Sequence, residues 1–152
     1  MNTLIYRDNV CAVIRAADGR VLVGHRNGFP QEKGWQFPQG GIDPAIDLAD
    51  ELKRELREEI GNDRVKVVAI SKETYIYNYP KSILPKKKGF AGQRQRWVLC
   101  EFFDNDPIVR LDGEVEPEFD GYRWVSPKEA FALCVGFKKE VYGQALSDLG
   151  LL

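Results

Sequence analysis

The chain is poor in the residues that the commonest metal and nucleophile chemistries need. It has a single histidine, His25, so a multi-histidine metal site is excluded. Its three cysteines, Cys11, Cys100 and Cys134, are widely spaced and form no CxxC pair. An odd number at that spacing builds neither a disulfide framework nor a zinc site, and a cysteine nucleophile would want a histidine partner. The expectation is three reduced, buried thiols in a cytoplasmic setting. No apolar run approaches the roughly 20 residues of a membrane helix, and the start, Met1 to Asp8, carries no stretch like a signal peptide. A membrane role and export are therefore not expected. Excess charge is also missing. The net charge is −1, which argues against general coating of nucleic acid.

What is present fits a folded domain. The chain has 152 residues, 43% hydrophobic and 30% charged, with 11% aromatics. That composition speaks against disorder and gives enough apolar surface for one core. With no linker and no internal repeat, residues 1–152 are expected to form a single domain.

Val10 to Arg15 and Val21 to His25 read as strands, with Asp18-Gly19 between them as a hairpin signal. Residues 27 to 47 are rich in Gly and Pro and read as structured loop, with one short strand near Trp35-Gln36-Phe37. A helix follows, with Asp47 as N-cap and Gly61 as its stop. Leu52, Leu56 and Ile60 recur every four residues on its core face, joined by Ala49. Val65 to Ile70, Thr74 to Tyr77, Gln95 to Phe103 and Tyr122 to Val125 read as strands. Ser126-Pro127-Lys128-Glu129 opens a helix with capping-box spacing, and a last helix runs from about Lys138 to Leu149. Strands with few helices suggest an α+β or α/β layered domain.

The first helix carries an unusual charge pattern. At about 100° per residue, with Glu55 at zero, Glu51 lies near −40°, Glu58 near −60° and Glu59 near +40°. Four carboxylates share one sector, while Lys53 and Arg57 point to solvent. Like charges at that spacing repel by about 0.2–0.5 kcal/mol per pair. Glu55, Glu58 and Glu59 also lie in the middle and C-terminal half of the helix, where the macrodipole disfavours them. Hard divalent cations bind such oxygen clusters, and Mg²⁺ prefers few carboxylates plus substrate phosphates. On these grounds alone a solvated charged face, partly neutralised by Arg54 or Arg57, is the favoured reading of the cluster.

The surrounding pattern resembles the Nudix box: Gly, five residues, Glu, seven residues, Arg-Glu-hydrophobic, one residue, Glu-Glu, one residue, Gly-hydrophobic. Gly40, Arg54, Glu55, Leu56, Glu58, Glu59 and Gly61 match. The five identities at 54, 55, 58, 59 and 61 would arise by chance in on the order of one chain in ten thousand at average residue frequencies. Two positions depart: Ile46 stands where the box has its first Glu, and Asn62 at the final hydrophobic place. That first Glu supports the loop or helix start more than it binds metal, so Asp43 or Asp47 is a candidate substitute. Glu51, on the acidic face but outside the box, is expected to be a bystander.

Further segments resemble one Nudix subgroup, the RNA 5′-pyrophosphohydrolases and related dinucleoside polyphosphate hydrolases. These are Tyr6-Arg7-x-Asn9-Val10, Trp35 to Ile42, Gly92 to Trp97, Pro117 to Trp124 and Phe137 to Tyr142. The resemblance implies an α/β/α sandwich around a mixed sheet, with the box as loop–helix–loop. It implies Mg²⁺, replaceable by Mn²⁺, on Glu55, Glu58, Glu59 and the distal Glu118, one of which also deprotonates the attacking water. Arg54 would orient the glutamates, and Gly40 would allow a close turn. Arg7 and Arg26 resemble phosphate- or RNA-contacting positions. Phe137 resembles a base-stacking position, with Lys138 beside it and Tyr77 as a weaker candidate. Lys81 and Lys86 to Lys88 could steer a polyanion. Of Gln93 to Arg96, only one alternating side can face a ligand.

The implied activity is hydrolysis of a phosphoanhydride in a nucleoside polyphosphate end, either 5′-triphosphorylated RNA or a dinucleoside polyphosphate such as diadenosine tetraphosphate. The alternative, motivated by Ile46, is a Nudix-fold nucleotide- or RNA-binding regulatory module with reduced or lost turnover. No stable protein partner is implied.

Overall fold

A computed structural model describes residues 5–82, 89–134 and 136–152. Lys86 to Lys88 lie outside the described residues. The elements in chain order are β1 (Tyr6–Ile14), β2 (Val21–Arg26), β3 (Trp35–Gln36), β4 (Gln39–Gly41), α1 (Leu48–Ile60), β5 (Val65–Ile70), β6 (Tyr75–Asn78), β7 (Gly92–Phe102), β8 (Phe119–Val125), α2 (Pro127–Leu133) and α3 (Gly136–Asp148).

The strands form two sheets. In the larger, β4, β1, β7 and β5 lie side by side, with β6 also on β7. β1 and β7 run parallel and the other pairs antiparallel, so the sheet is mixed. The smaller sheet has the order β3-β2-β8, all antiparallel.

Alternation along the strands builds the layers. Val10, Ala12 and Ile14 of β1, with Val98 and Cys100 of β7, pack with Leu52, Leu56 and Ile60 of α1. Cys11 and Val13 of β1, with Trp97 and Leu99 of β7, pack on the opposite face with Val141, Tyr142, Ala145 and Leu146 of α3. Successive side chains of a strand point to opposite faces, so a central strand buried on both faces reads as a continuous apolar run. The result is the expected α/β/α sandwich. The hydroxyl of Tyr142 accepts a hydrogen bond from the Phe37 amide at 3.1 Å and ties α3 to the loop after β3.

The expected hairpin between β1 and β2 does not form as such. Gly19 makes a tight turn at φ 90°, and a single bridge joins Arg15 to Val21. Beyond it the strands part into different sheets, because each finds a longer partner: β1 pairs with β7 over nine positions and β2 with β8. The turn was local information, whereas sheet membership was decided by distant strands. β4, inside the Gly/Pro-rich stretch, is an additional strand. All three cysteines are buried thiols, and among the described residues no helix is long and apolar enough to cross a membrane.

Candidate active site

Helix α1 starts where Asp47 accepts hydrogen bonds from the amides of Ala49 and Asp50, and it stops at Gly61, which is left-handed at φ 66°. Between these caps two stripes are buried: Leu52, Leu56 and Ile60 against the sheet, and Glu51, Glu55 and Glu59 beside them. The acidic sector is therefore split. Glu51, Glu55 and Glu59 are less than a tenth exposed, while Glu58 stands at the rim with its side chain 44% exposed.

Strand β4 lies directly over the buried carboxylates. A Cβ on Gly40 would come within 2.0 Å of Oε2 of Glu55, and one on Gly41 within 2.3 Å of Nη2 of Arg7. Only glycines permit backbone, carboxylate and guanidinium to approach this closely.

Arg54 ties the pieces together. Its Nε donates to Glu51 Oε1 at 3.0 Å, and its Nη1 to Glu58 Oε1 at 3.2 Å. Nη2 donates to the Gly41 carbonyl at 3.0 Å and lies 3.0 Å from Glu55 Oε1. This network, led by the hydrogen bonds with Glu51, holds the guanidinium pKa above its ordinary value and draws that of Glu51 below the usual range.

Glu55 and Glu59 go the other way. Burial pushes the Glu55 carboxyl up against the opposing pull of Arg54, with Glu58 adding to the rise. Burial also drives Glu59 well above the ordinary carboxyl, reinforced by the charges of Glu55 and Glu118. Oε2 of Glu59 is buried with no hydrogen-bond partner. An orphaned carboxylate oxygen beside two more acids fits a cation as its missing partner. Among the described residues, no three acidic, histidine or cysteine side chains converge as a preformed metal cage. Mg²⁺ does not require one, since it keeps waters and substrate phosphates in its shell.

These residues line a cleft of about 440 Å³. Of the sequence candidates it unites Arg7, Gly40, Arg54, Glu55, Glu58, Glu59 and Glu118. Its lining also includes four residues that were not singled out as site residues in the sequence: Asn9, Gln39, Glu114 and Glu116. The two glutamates could have been noticed from the alternation Glu114-x-Glu116-x-Glu118. Asn9 is buried, with its Nδ2 unpartnered and its Oδ1 accepting from Gln95.

Arg26, Phe137 and Lys138 are not in this cleft. They line a second, mostly apolar pocket of about 140 Å³ with Phe29, Trp35, Gln36 and Tyr142. The Arg26 guanidinium lies 4.4 Å from the centre of the Phe29 ring, and Lys138 Nζ donates to Gln36 Oε1 at 3.3 Å. Arg26 also links the two cavities, its Nε lying 3.8 Å from Glu118 Oε1.

Tyr77 lies outside the acidic cleft and, with Phe137, lines another cavity of about 450 Å³. It is 6% exposed, its hydroxyl donates to Gln93 Oε1 at 2.6 Å, and its ring centre lies 5.9 Å from that of Phe137. Gln93 and Gln95 form the inward side of β7, with Arg94 and Arg96 exposed. Lys81 is exposed. Glu51, expected to be a bystander, does not line the cleft, but it is buried and bonds both Arg54 and the Asp43 amide. Asp43 and Asp47 support the loop and the helix start, the role in which they were expected to substitute at Ile46. Asp43 accepts from the Ala45 amide in its own turn, and Asp47 caps the helix.

Comparison with known proteins agrees with this architecture. The NUDIX domain pattern matches residues 5–144. An RNA pyrophosphohydrolase of Gluconacetobacter diazotrophicus is 37% identical over 95% of this chain and 92% of its own length. One of Novosphingobium aromaticivorans is 38% identical over the same shares. The solved structure of the E. coli dihydroneopterin triphosphate pyrophosphohydrolase superposes with a TM-score of 0.70 at 19% identity, covering 94% of this chain and 99% of that one. The acidic helix, the glycines above it and the sandwich that presents them thus occur in a chain that belongs to the NUDIX domain family, whose enzymes generally use divalent metal ions.

Proposed function

We propose that this chain hydrolyses a phosphoanhydride bond in a nucleoside polyphosphate end, with 5′-triphosphorylated RNA as its first substrate and a dinucleoside polyphosphate as the second. One observation carries the reading: an acidic cleft and an aromatic, cationic pocket lie side by side, joined through Arg26 and Glu118. A phosphate chain ending in a base has the same two-part chemistry. The names of the two RNA pyrophosphohydrolases, at 37% and 38% identity, support RNA as the first choice.

Glu55, Glu58, Glu59 and Glu118 would hold Mg²⁺, or Mn²⁺ in its place, in the acidic cleft. The orphan oxygen of Glu59 and the side-chain-free approach of Gly40 fit that role. The bound ion would neutralise phosphate charge and orient the reacting groups. The chain's own residues do the rest. Arg7 offers a cation to the phosphates, and Arg54 fixes the glutamates relative to the β4 carbonyl. One of the glutamates takes the proton of the attacking water. Phe137 and Arg26 hold a base in the second pocket, with Lys138 at its wall. Three buried thiols suit a reducing, cytoplasmic setting.

The test is turnover of triphosphorylated RNA and of a dinucleoside tetraphosphate side by side, with Mg²⁺ and then with chelator, with products identified. Release from RNA that stops on chelation is expected, as is its loss in Glu58→Gln with an unchanged melting curve. No turnover of either substrate, with nucleotide binding intact, would overturn the enzyme reading and favour a binding module.

A further inference from the structure

Position 46 carries a carboxylate in the Nudix box and none in this chain. Ile46 is 48% exposed and offers no side-chain hydrogen bond. The loop from Gly41 to Asp47 still has to be held against α1, because Gly41 and Asp43 lie over the acidic stripe. The nearest aspartates are committed to a turn and to the helix cap.

Glu51 adds a bond from α1 to the loop backbone and to Arg54 that neither aspartate is shown to make. It sits in the first turn of α1, four residues before Glu55 and on the same buried face. Its Oε2 accepts from the Asp43 amide at 2.9 Å and from Arg54 Nη2 at 3.1 Å, and its Oε1 accepts from Arg54 Nε at 3.0 Å. The guanidinium, gripped along one edge, then reaches the Gly41 carbonyl, Glu55 and Glu58 with its remaining hydrogens. An ordinary surface pair three residues apart on a helix would be solvent-exposed and would not hold a backbone amide eight residues upstream. Glu51 is 5% exposed and does.

We propose that Glu51 is a positioning residue. It locks Arg54 and the Gly41–Asp43 backbone in register with Glu55, and so stands in for the box carboxylate missing at Ile46. This rests on the hydrolase reading only where turnover is the readout.

The experiment uses the full chain in four forms: wild type, Glu51→Ala, Ile46→Glu and the double variant. Glu51→Gln, which keeps the volume and one acceptor, covers the case in which Glu51→Ala fails to fold. In metal-free protein, exchange of the Asp43 amide should speed up about tenfold or more in Glu51→Ala and less in Glu51→Gln. With substrate, loss of such a supporting group should lower kcat and raise the half-saturating Mg²⁺ concentration by about 10–100-fold, with KM for RNA nearly unchanged. Ile46→Glu should alter the wild type by less than about threefold, yet recover at least about tenfold in the Glu51→Ala background, a coupling that independent sites lack. Unchanged Asp43 protection in both Glu51 variants would overturn the proposal. Equal effects of Ile46→Glu in both backgrounds would overturn the replacement. If the wild type turns over nothing, the hydrolase reading fails, and the amide exchange still decides the role of Glu51.

Discussion

Gly40 and Glu55 are in direct register across β4 and α1: a methyl group on the glycine would fall 2.0 Å from the carboxylate oxygen. The glycine backbone is held in the sheet, so the carboxylate, the end of a flexible side chain, is the side that yields. Gly40 is paired with Val10 in the sheet, and Glu55 is buried on the helix. Gly40→Ala is therefore expected to displace the carboxylate from its working position. Overpacking of this kind destabilises by about 1–3 kcal/mol, and misplacement at a reacting centre lowers turnover by about 100-fold. Steady-state kinetics beside a thermal melt checks both. A kcat within about threefold of wild type would remove the β4–α1 approach from the catalytic geometry.

Glu59 is expected to trade stability for function. Its folded pKa is raised by burial and by Glu55 and Glu118, so the native state prefers the protonated form. That preference is harmless below the unfolded value near 4.5 and becomes a penalty as pH rises through the folded value. In metal-free protein, Glu59→Gln should raise Tm at pH 7–8 by about 2–4 °C, corresponding to roughly 1 kcal/mol. The gain should vanish near pH 4. Adding Mg²⁺ should raise the Tm of the wild type more than that of the variant. Scanning calorimetry at several pH values reads all three, and a lower metal-free Tm for the variant at pH 8 would contradict the assignment.

Phe137 is 37% exposed at the mouth of the pocket that holds Arg26. Stacking on an aromatic ring is worth about 1–3 kcal/mol per base. Phe137→Ala should therefore lower kcat/KM for RNA by about 5–150-fold, with little change in Tm. If Tm drops and kcat/KM holds, Phe137 is a packing residue at the start of α3.

Much of this molecule was legible because its signals are local. Asp47, Gly61 and the four-residue recurrence of Leu52, Leu56 and Ile60 defined α1, and the structure places both ends there. β5 likewise runs from Val65 to Ile70 as read. The hairpin at Gly19 misled because a turn says nothing about which strand each arm will find. The contacts of Glu51 were hidden for a similar reason. Helical angles placed it on the acidic face, but not beside the Asp43 amide, which a fold of the loop brings within 2.9 Å. The separation of Arg26, Phe137 and Lys138 from the acidic cleft was beyond reach too, since it depends on how α3 packs against the β2–β3 region.

His25 and Asp120 give the last prediction. The imidazole is nearly buried, with Nδ1 2.6 Å from Asp120 Oδ1 and Nε2 2.9 Å from the Pro30 carbonyl. Both neighbours are acceptors, so both contacts are hydrogen bonds only when both ring nitrogens carry protons. The Pro30 carbonyl first, and Asp120 next, hold the His25 pKa above 6.5, while His25 holds Asp120 below 3.8. The His25 contribution to stability is then complete below about pH 6.5 and is lost as pH rises through the raised value. That of Asp120 is present above about pH 3.8 and is lost on acidification. His25→Gln should therefore melt below the wild type at pH 5–6, with the gap closing toward pH 9. Glu59 also weakens the metal-free fold as pH rises, so the comparison is made in the Glu59→Gln background, where that slope is gone. A gap that stays constant from pH 5 to pH 9 would mean that the ring packs as a neutral imidazole. A closing gap would place a titrating bond between β2 and β8, one residue from Arg26 and two from Glu118.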